Sequence, residues 1–346
     1  MTYLNKQLSN IFLTSIIFLT SSCKKDNTPK LTPDVITEQT ANDSDDPAIW
    51  INSKNPEKSI IFGTDKNTKG AIYAFDLDGK IIQEKSIYNV KRPNNVDISY
   101  NFQLNDSTSL DLLAFTEREL QQVRLFSIPN MKAIDNGGFK VFEDEENIQF
   151  KLPMGIAFYQ SSKNNKTYLI VGRKEGPLNN YLYQYEIIFD EKFSLKLVRK
   201  FGQFSGKKEI EAIAVDNELG FIYYSDEQHC IRKYHAEPNK GNKEISCFGG
   251  KQFKSDIEGI AIAKTNSKAG YLIVSDQQRG TFNFFDRQQN NFLGALNLST
   301  TQTDGCEVTT SSLGNQFPNG LFVAMNDDRN FFLYDLKKIT NTLKKK

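Results

Sequence analysis

Short apolar runs alternate with polar positions from about residue 43 to residue 340, broken by Gly, Asn, Asp or Pro and never settling into helical spacing. The runs come in sets of three, and the sets repeat. The last run of each set closes on an aromatic, at Phe75, Phe126, Tyr185, Tyr234, Phe285 and Tyr334, spaced 51, 59, 49, 51 and 49 residues apart. A more continuously apolar run precedes it, at 60–62, 112–115, 168–171, 221–224, 271–274 and 321–324. Each set opens on a run that starts with polar or small residues, at 45–50, 94–98, 154–157, 209–213, 256–260 and 304–308. Six copies of a short-stranded unit predict an all-β chain, a six-bladed β-propeller with antiparallel meander blades around a central channel. A β-sandwich array would divide into independent domains, and no such division is visible.

That topology places side chains before any chemistry is considered. In an up-and-down blade the start of the first strand and the turn between the second and third strands lie at the same end. The first strand is innermost, so its opening residues encircle the axis. They are Asp45, Asp46, Asn95, Asp97, Glu209, Glu211, Asp256, Glu258, Asp304 and Glu307, while the turns bring Lys66, Arg118, Arg173, Lys174, Glu227 and Gln277 to the same face. Carboxylates converging on one axis repel one another unless a cation neutralises them. Oxygen ligands without histidine or spare thiol favour a hard ion, Ca²⁺ over Zn²⁺. The cations come from blades one to three and the acids are densest in blades four to six, an asymmetry suited to an anion held between metal ions and basic side chains.

Composition narrows the rest. With 43 Lys+Arg against 42 Asp+Glu the formal charge is +1, so nucleic acid is not expected as a partner. The two histidines, His229 and His235, leave little for a histidine-based mechanism.

The chain begins with Lys6, an apolar stretch from Ile11 to Thr20 and then Ser21-Ser22-Cys23, too short an apolar run to span a bilayer and ordered like a secretory signal. Small residues before a cysteine resemble a bacterial lipobox, although Thr20 stands where Leu is usual. The expectation is a signal peptide over 1–22, lipidation at Cys23, a flexible tether over 23–42, the propeller over 43–340 and a disordered tail over 341–346. The protein would then be exported and held at a membrane by its lipid, periplasmic or on the cell surface, and monomeric. Cys230 and Cys247 flank a hairpin with its turn near Pro238-Asn239; a disulfide and two buried thiols both remain open. Cys306 has no evident partner.

Several motifs in order resemble the β-propeller phytases over about residues 43 to 340. They include Asp45-Asp46-Pro47-Ala48-Ile49-Trp50, Thr64-Asp65-Lys66 with Gly70, Asn94-Asn95-Val96-Asp97, Lys174-Glu175-Gly176, Asp256-Ile257-Glu258-Gly259 and Thr303-Asp304-Gly305. The resemblance implies calcium-dependent hydrolysis of phosphate monoesters of myo-inositol hexakisphosphate, by water activated between several Ca²⁺ ions. It implies calcium ligands at Asp46, Glu211, Asp256, Glu258, Gln277 and Asp304, with Asp45 and Glu227 beside them. Lys66, Arg118 and Lys174 would bind substrate phosphates, joined by Arg173, and Glu211, Lys66 and Arg118 would carry catalysis. Asn67, Met154 and the segment 325–329 depart from the family pattern, which bears on a second phosphate site and one outer calcium.

Two other functions compete. A calcium-dependent propeller lactonase would share the axial carboxylates but has no use for the Lys66, Arg118 and Lys174 group. A noncatalytic propeller lipoprotein would bind without turnover. No Arg-His-Gly segment, GxSxG elbow or HExxH motif points elsewhere.

Overall fold

The computed structural model describes residues 28–345. They form six antiparallel sheets, five of four strands and one of five, arranged as a six-bladed propeller with one short helix. The innermost strands are Ser44–Trp50, Pro93–Asn105, Pro153–Gln160, Ile213–Asp216, Ile257–Lys264 and Cys306–Thr309. Each packs against the next, and the sixth against the first, closing the ring.

Alternation explains why the second strand of a blade is so apolar. In blade one, Ile61 enters a core shared with Leu321, Val323, Phe331 and Leu333 of blade six, while Ile60 and Phe62 face Val96, Leu113 and Phe115 of blade two. Both faces of every blade are covered, so a strand in its middle has no solvent side and reads as a continuous hydrophobic run. The inner ring is tight. A Cβ on Gly155 would lie 2.2 Å from the Glu211 carbonyl oxygen, and one on Gly305 would lie 2.3 Å from Asp46 Oδ1.

The ring closes with the start of the chain. Val35–Ile36 forms the outermost strand of blade six, with Val35 opposite Leu333 and Ile36 opposite Phe332. On either side, Leu31 N–H donates to Asn297, Asp34 to Leu333, Thr37 to Phe331 and Thr40 to Arg329, all through backbone carbonyls at 2.7–3.0 Å. The expected tether over 23–42 is thus structural from about residue 30. A two-residue strand carries no alternation to read, and its stability comes from backbone bonds that any sequence makes. The expected tail is corrected likewise: Leu336–Lys344 is a helix capped by Asp335, whose side chain accepts from Lys337 N–H, and it buries Leu336, Ile339 and Leu343.

Cys230 and Cys247 form a disulfide with Cα atoms 5.6 Å apart, tying the outer strand of blade four to its neighbour. Cys306 is a buried free thiol. The proposed signal peptide and Cys23 lie outside the described residues. Among the described residues no helix is long and apolar enough to cross a membrane.

Candidate active site

The inner strands do not start smoothly. Register shifts fall at Ser44/Pro47, Pro93/Val96, Pro153/Ile156 and Ile257/Ile260, the first turns around the axis in blades one, two, three and five. A bulge re-aims the side chains beside it. In blade one it separates two adjacent acids. Asp45 is fully buried and faces the ion cluster, while Asp46 accepts from Val96 N–H at 3.1 Å and lines an axial cavity with Asp97 and Glu307.

The cluster has two halves. In the first, Lys66 Nζ lies 2.8 Å from Asp45 Oδ1 and 3.1 Å from Asp304 Oδ2. Asn94 donates to the other Asp45 oxygen at 3.1 Å, and Gln277 donates to the other Asp304 oxygen. In the second, Lys208 Nζ lies 2.7 Å from both Glu227 Oε2 and Asp256 Oδ2. Gln228 and Gln278 donate to Asp256 from either side, at 2.9 and 2.8 Å. Glu211 connects the halves, its charge felt at Lys66, Arg118 and Glu258. Lys174 pairs with Glu209 at the rim.

Burial dominates the electrostatics. It pushes Glu211 well above the usual carboxylate range, reinforced by Asp45 and Asp304 and only partly opposed by Lys66. Glu258 is raised well above its ordinary value by burial and then by Glu211, Glu227 and Asp304. Glu227 and Asp304 are each pushed up to about 7, by burial first, with Lys208 opposing the rise at Glu227 and Lys66 at Asp304. For Lys66, burial alone would lower the pKa, but Asp45, Glu211 and Asp304 outweigh it and hold the ammonium charged. Burial lowers that of Arg118, whose Nε and Nη2 are buried without a hydrogen-bond partner.

A divalent ion fits this donor set. Oxygens of Glu209, Glu211 and Glu227 lie within 4.8 Å of one another, as do oxygens of Glu227, Asp256 and Glu258. That spacing matches oxygens around an ion with bonds of about 2.3–2.6 Å. Glu211 Oε1, Glu227 Oε1 and Glu258 Oε2 are buried and accept no hydrogen bond, and Glu227 Oε2 meets the Lys208 ammonium. Such groups are costly to leave unsatisfied, and a bound cation satisfies them together.

Of the residues singled out in the sequence, Asp45, Lys66, Arg118, Lys174, Glu211, Glu227, Asp256, Glu258, Gln277 and Asp304 share this end of the axis. Arg173 does not belong with them. It is fully buried, paired with Glu145 at 2.7 Å, bonded to the carbonyls of Tyr181 and Phe150 and stacked on Phe142 and Tyr183. Arg173 is the last residue of the strand Thr167–Arg173 and points into the blade, whereas Lys174 begins the turn that follows and reaches Glu209 at the rim. Lys208, Gln228 and Gln278 were not singled out. Lys208 precedes Glu209 at the opening of the blade-four set, and that position was its one legible signal.

The phytase family model matches residues 4–339. The chain belongs to the phytase family. A 3-phytase from Bacillus subtilis (strain 168) is 30% identical over 300 residues, covering 82% of this chain and 75% of that one. Among solved structures, the computationally designed Ika8 protein aligns with TM-score 0.43 at 12% identity, over 86% of this chain and 70% of its own. The Dos1 propeller aligns with TM-score 0.46 at 12% identity, over 83% and 66%. Family membership agrees with the buried acid cluster flanked by Lys66, Arg118 and Lys174, and makes the protein a phosphoric monoester hydrolase.

Proposed function

We infer that this phytase family member hydrolyses phosphate monoesters of phytate at the acidic end of its central channel, with calcium as the activating ion. The observation that carries the reading is the pairing of unsatisfied buried carboxylates at Glu211, Glu227 and Glu258 with the unpartnered guanidinium of Arg118. Acids alone would serve a cation and bases alone an anion; together they suit a metal-assisted reaction on phosphate.

Glu211, Glu227, Asp256, Glu258 and Asp304 would hold the ions, with Asp45 and Gln277 orienting Lys66 and Asp304. Calcium supplies charge neutralisation on the phosphate and lowers the pKa of the attacking water. Arg118 offers two free donors to phosphate oxygens, and its fork suits bidentate binding. Lys66 and Lys174 are held in place by acids that a phosphate would partly replace as partners. Burial of Lys66, whose side chain is 16% exposed, fixes its ammonium and strengthens its pull on an anion. Phosphate monoesters hydrolyse very slowly unaided, so this positioning and charge stabilisation must supply most of the rate. Incubating the protein with phytate and following inositol phosphates by phosphorus NMR tests the reading. Loss of phosphate groups with calcium supports it, and phytate bound but recovered intact would replace the enzyme by a binding protein.

We also propose export and membrane anchoring through Cys23. The apolar stretch before Ser21-Ser22-Cys23 supports this, and so does a disulfide, which persists in oxidising compartments. Cells making Cys23→Ser should release the protein from their membrane fraction; equal retention of both forms would rule the anchor out.

A further inference from the structure

The acid cluster of blades four and five already holds a cation, and it belongs to the chain. Lys208 Nζ lies 2.7 Å from Glu227 Oε2, 2.7 Å from Asp256 Oδ2 and 4.0 Å from Glu258 Oε1. Asp256 has further donors in Gln228 and Gln278, whereas Glu227 Oε1 and Glu258 Oε2 accept no hydrogen bond. The ammonium therefore stands among three carboxylates whose oxygens lie within 4.8 Å of one another, the place a divalent ion would take. Both cannot occupy it, because cations about 4 Å apart repel strongly away from water. Lys208 can leave: 35% of its side chain is exposed, and its flexible four-carbon stem can carry the ammonium into solvent.

We propose that Lys208 is a tethered counter-ion, seated in the Glu227, Asp256 and Glu258 cluster of the metal-free protein and displaced when a divalent ion binds. It thereby sets the ion concentration at which the site loads. This rests on the reading of the cluster as a divalent-ion site. Removing the amine removes a competitor, so it raises affinity for the ion while leaving the metal-free carboxylates without their counter-charge.

The test is calorimetric titration of calcium at pH 8 into the wild-type protein, Lys208→Met and Lys208→Arg, with melting in excess chelator measured alongside. Lys208→Met should bind calcium about tenfold more tightly and melt in chelator about 3 °C or more below wild type. Lys208→Arg keeps the charge and should resemble wild type in both. Preparing the Met variant in calcium guards against misfolding, and its unfolding only on chelation counts for the proposal. Unchanged or weaker calcium binding by Lys208→Met, with wild-type binding intact, overturns the role of Lys208 alone. Absence of calcium binding in all three proteins overturns both this proposal and the metal reading beneath it.

Discussion

Glu211 shows how one side chain serves stability and function in opposite senses. Its Oε1 is buried without a partner, and burial with the charges of Asp45 and Asp304 resists its ionisation. Glu211→Gln keeps the shape and removes the charge. Phosphate release should fall by about 10²–10³-fold, while melting in chelator stays level or rises and the stabilisation by calcium shrinks. A drop in chelator stability would mean that Glu211 is an ordinary structural acid. Lys66→Ala should lower turnover by a similar factor, and near-native rates would remove Lys66 from the phosphate site. The acids also set a pH dependence. Glu227 and Asp304 keep their protons to about pH 7 in the folded, metal-free protein, whereas unfolded carboxylates ionise near pH 4. Over that interval the folded state binds more protons at these two acids, so their contribution to metal-free stability should be full below about pH 4 and be lost as pH rises through about 7. Calcium affinity should strengthen over the same interval, because the ligands must lose those protons. Chelator melting curves and calcium titrations from pH 5 to 8 check both signs.

At the level of elements, the first and last segments of the described chain do more than the sequence pattern disclosed. The Val35–Ile36 strand completes blade six, and Arg329 holds the segment after it through Ala41 and Gln39. A chain starting at residue 42 should leave the edge of Asn330–Asp335 unpaired and melt well below one starting at residue 28; equal melting would make the strand dispensable. The Cys230–Cys247 bridge closes a loop of sequence separation 17, so replacing both by Ser should cost about 3 kcal/mol in denaturant unfolding. What was legible followed from burial. Ile60, Ile61 and Phe62 announce a strand because both faces are covered, and repetition of that pattern with a closing aromatic yields the blades. Val35–Ile36 announces nothing, since its contribution lies in backbone bonds. Arg173 and Lys174 look alike in sequence, and only the point where the strand ends, at Arg173, separates the core cation from the one in the turn at the site. Lys208 was hidden differently: a lysine beside glutamates reads as a solvated face until the ring brings Asp256 and Glu258 to it from the next blade.

The whole molecule joins these scales by closing a ring. Neither half of the ion cluster exists within a single blade: Asp45 and Lys66 come from the first, Asp304 from the sixth, Glu211 and Glu227 from the fourth, and Asp256 and Glu258 from the fifth. A near-neutral protein thus concentrates buried acids and facing cations at one end of its axis, where an ion and a phosphate can each satisfy what the other leaves. Ion binding and ring stability should accordingly be linked, since an ion that binds only the closed ring stabilises it. The most direct measurement is phosphate release from phytate by the chain beginning at residue 28, with free calcium titrated from excess chelator to millimolar concentration and melting temperature followed in the same samples. Activity absent in chelator and rising with calcium, in step with the melting temperature, is the predicted result. Full activity in excess chelator would contradict the account, as would a calcium-stabilised protein that releases no phosphate at any concentration.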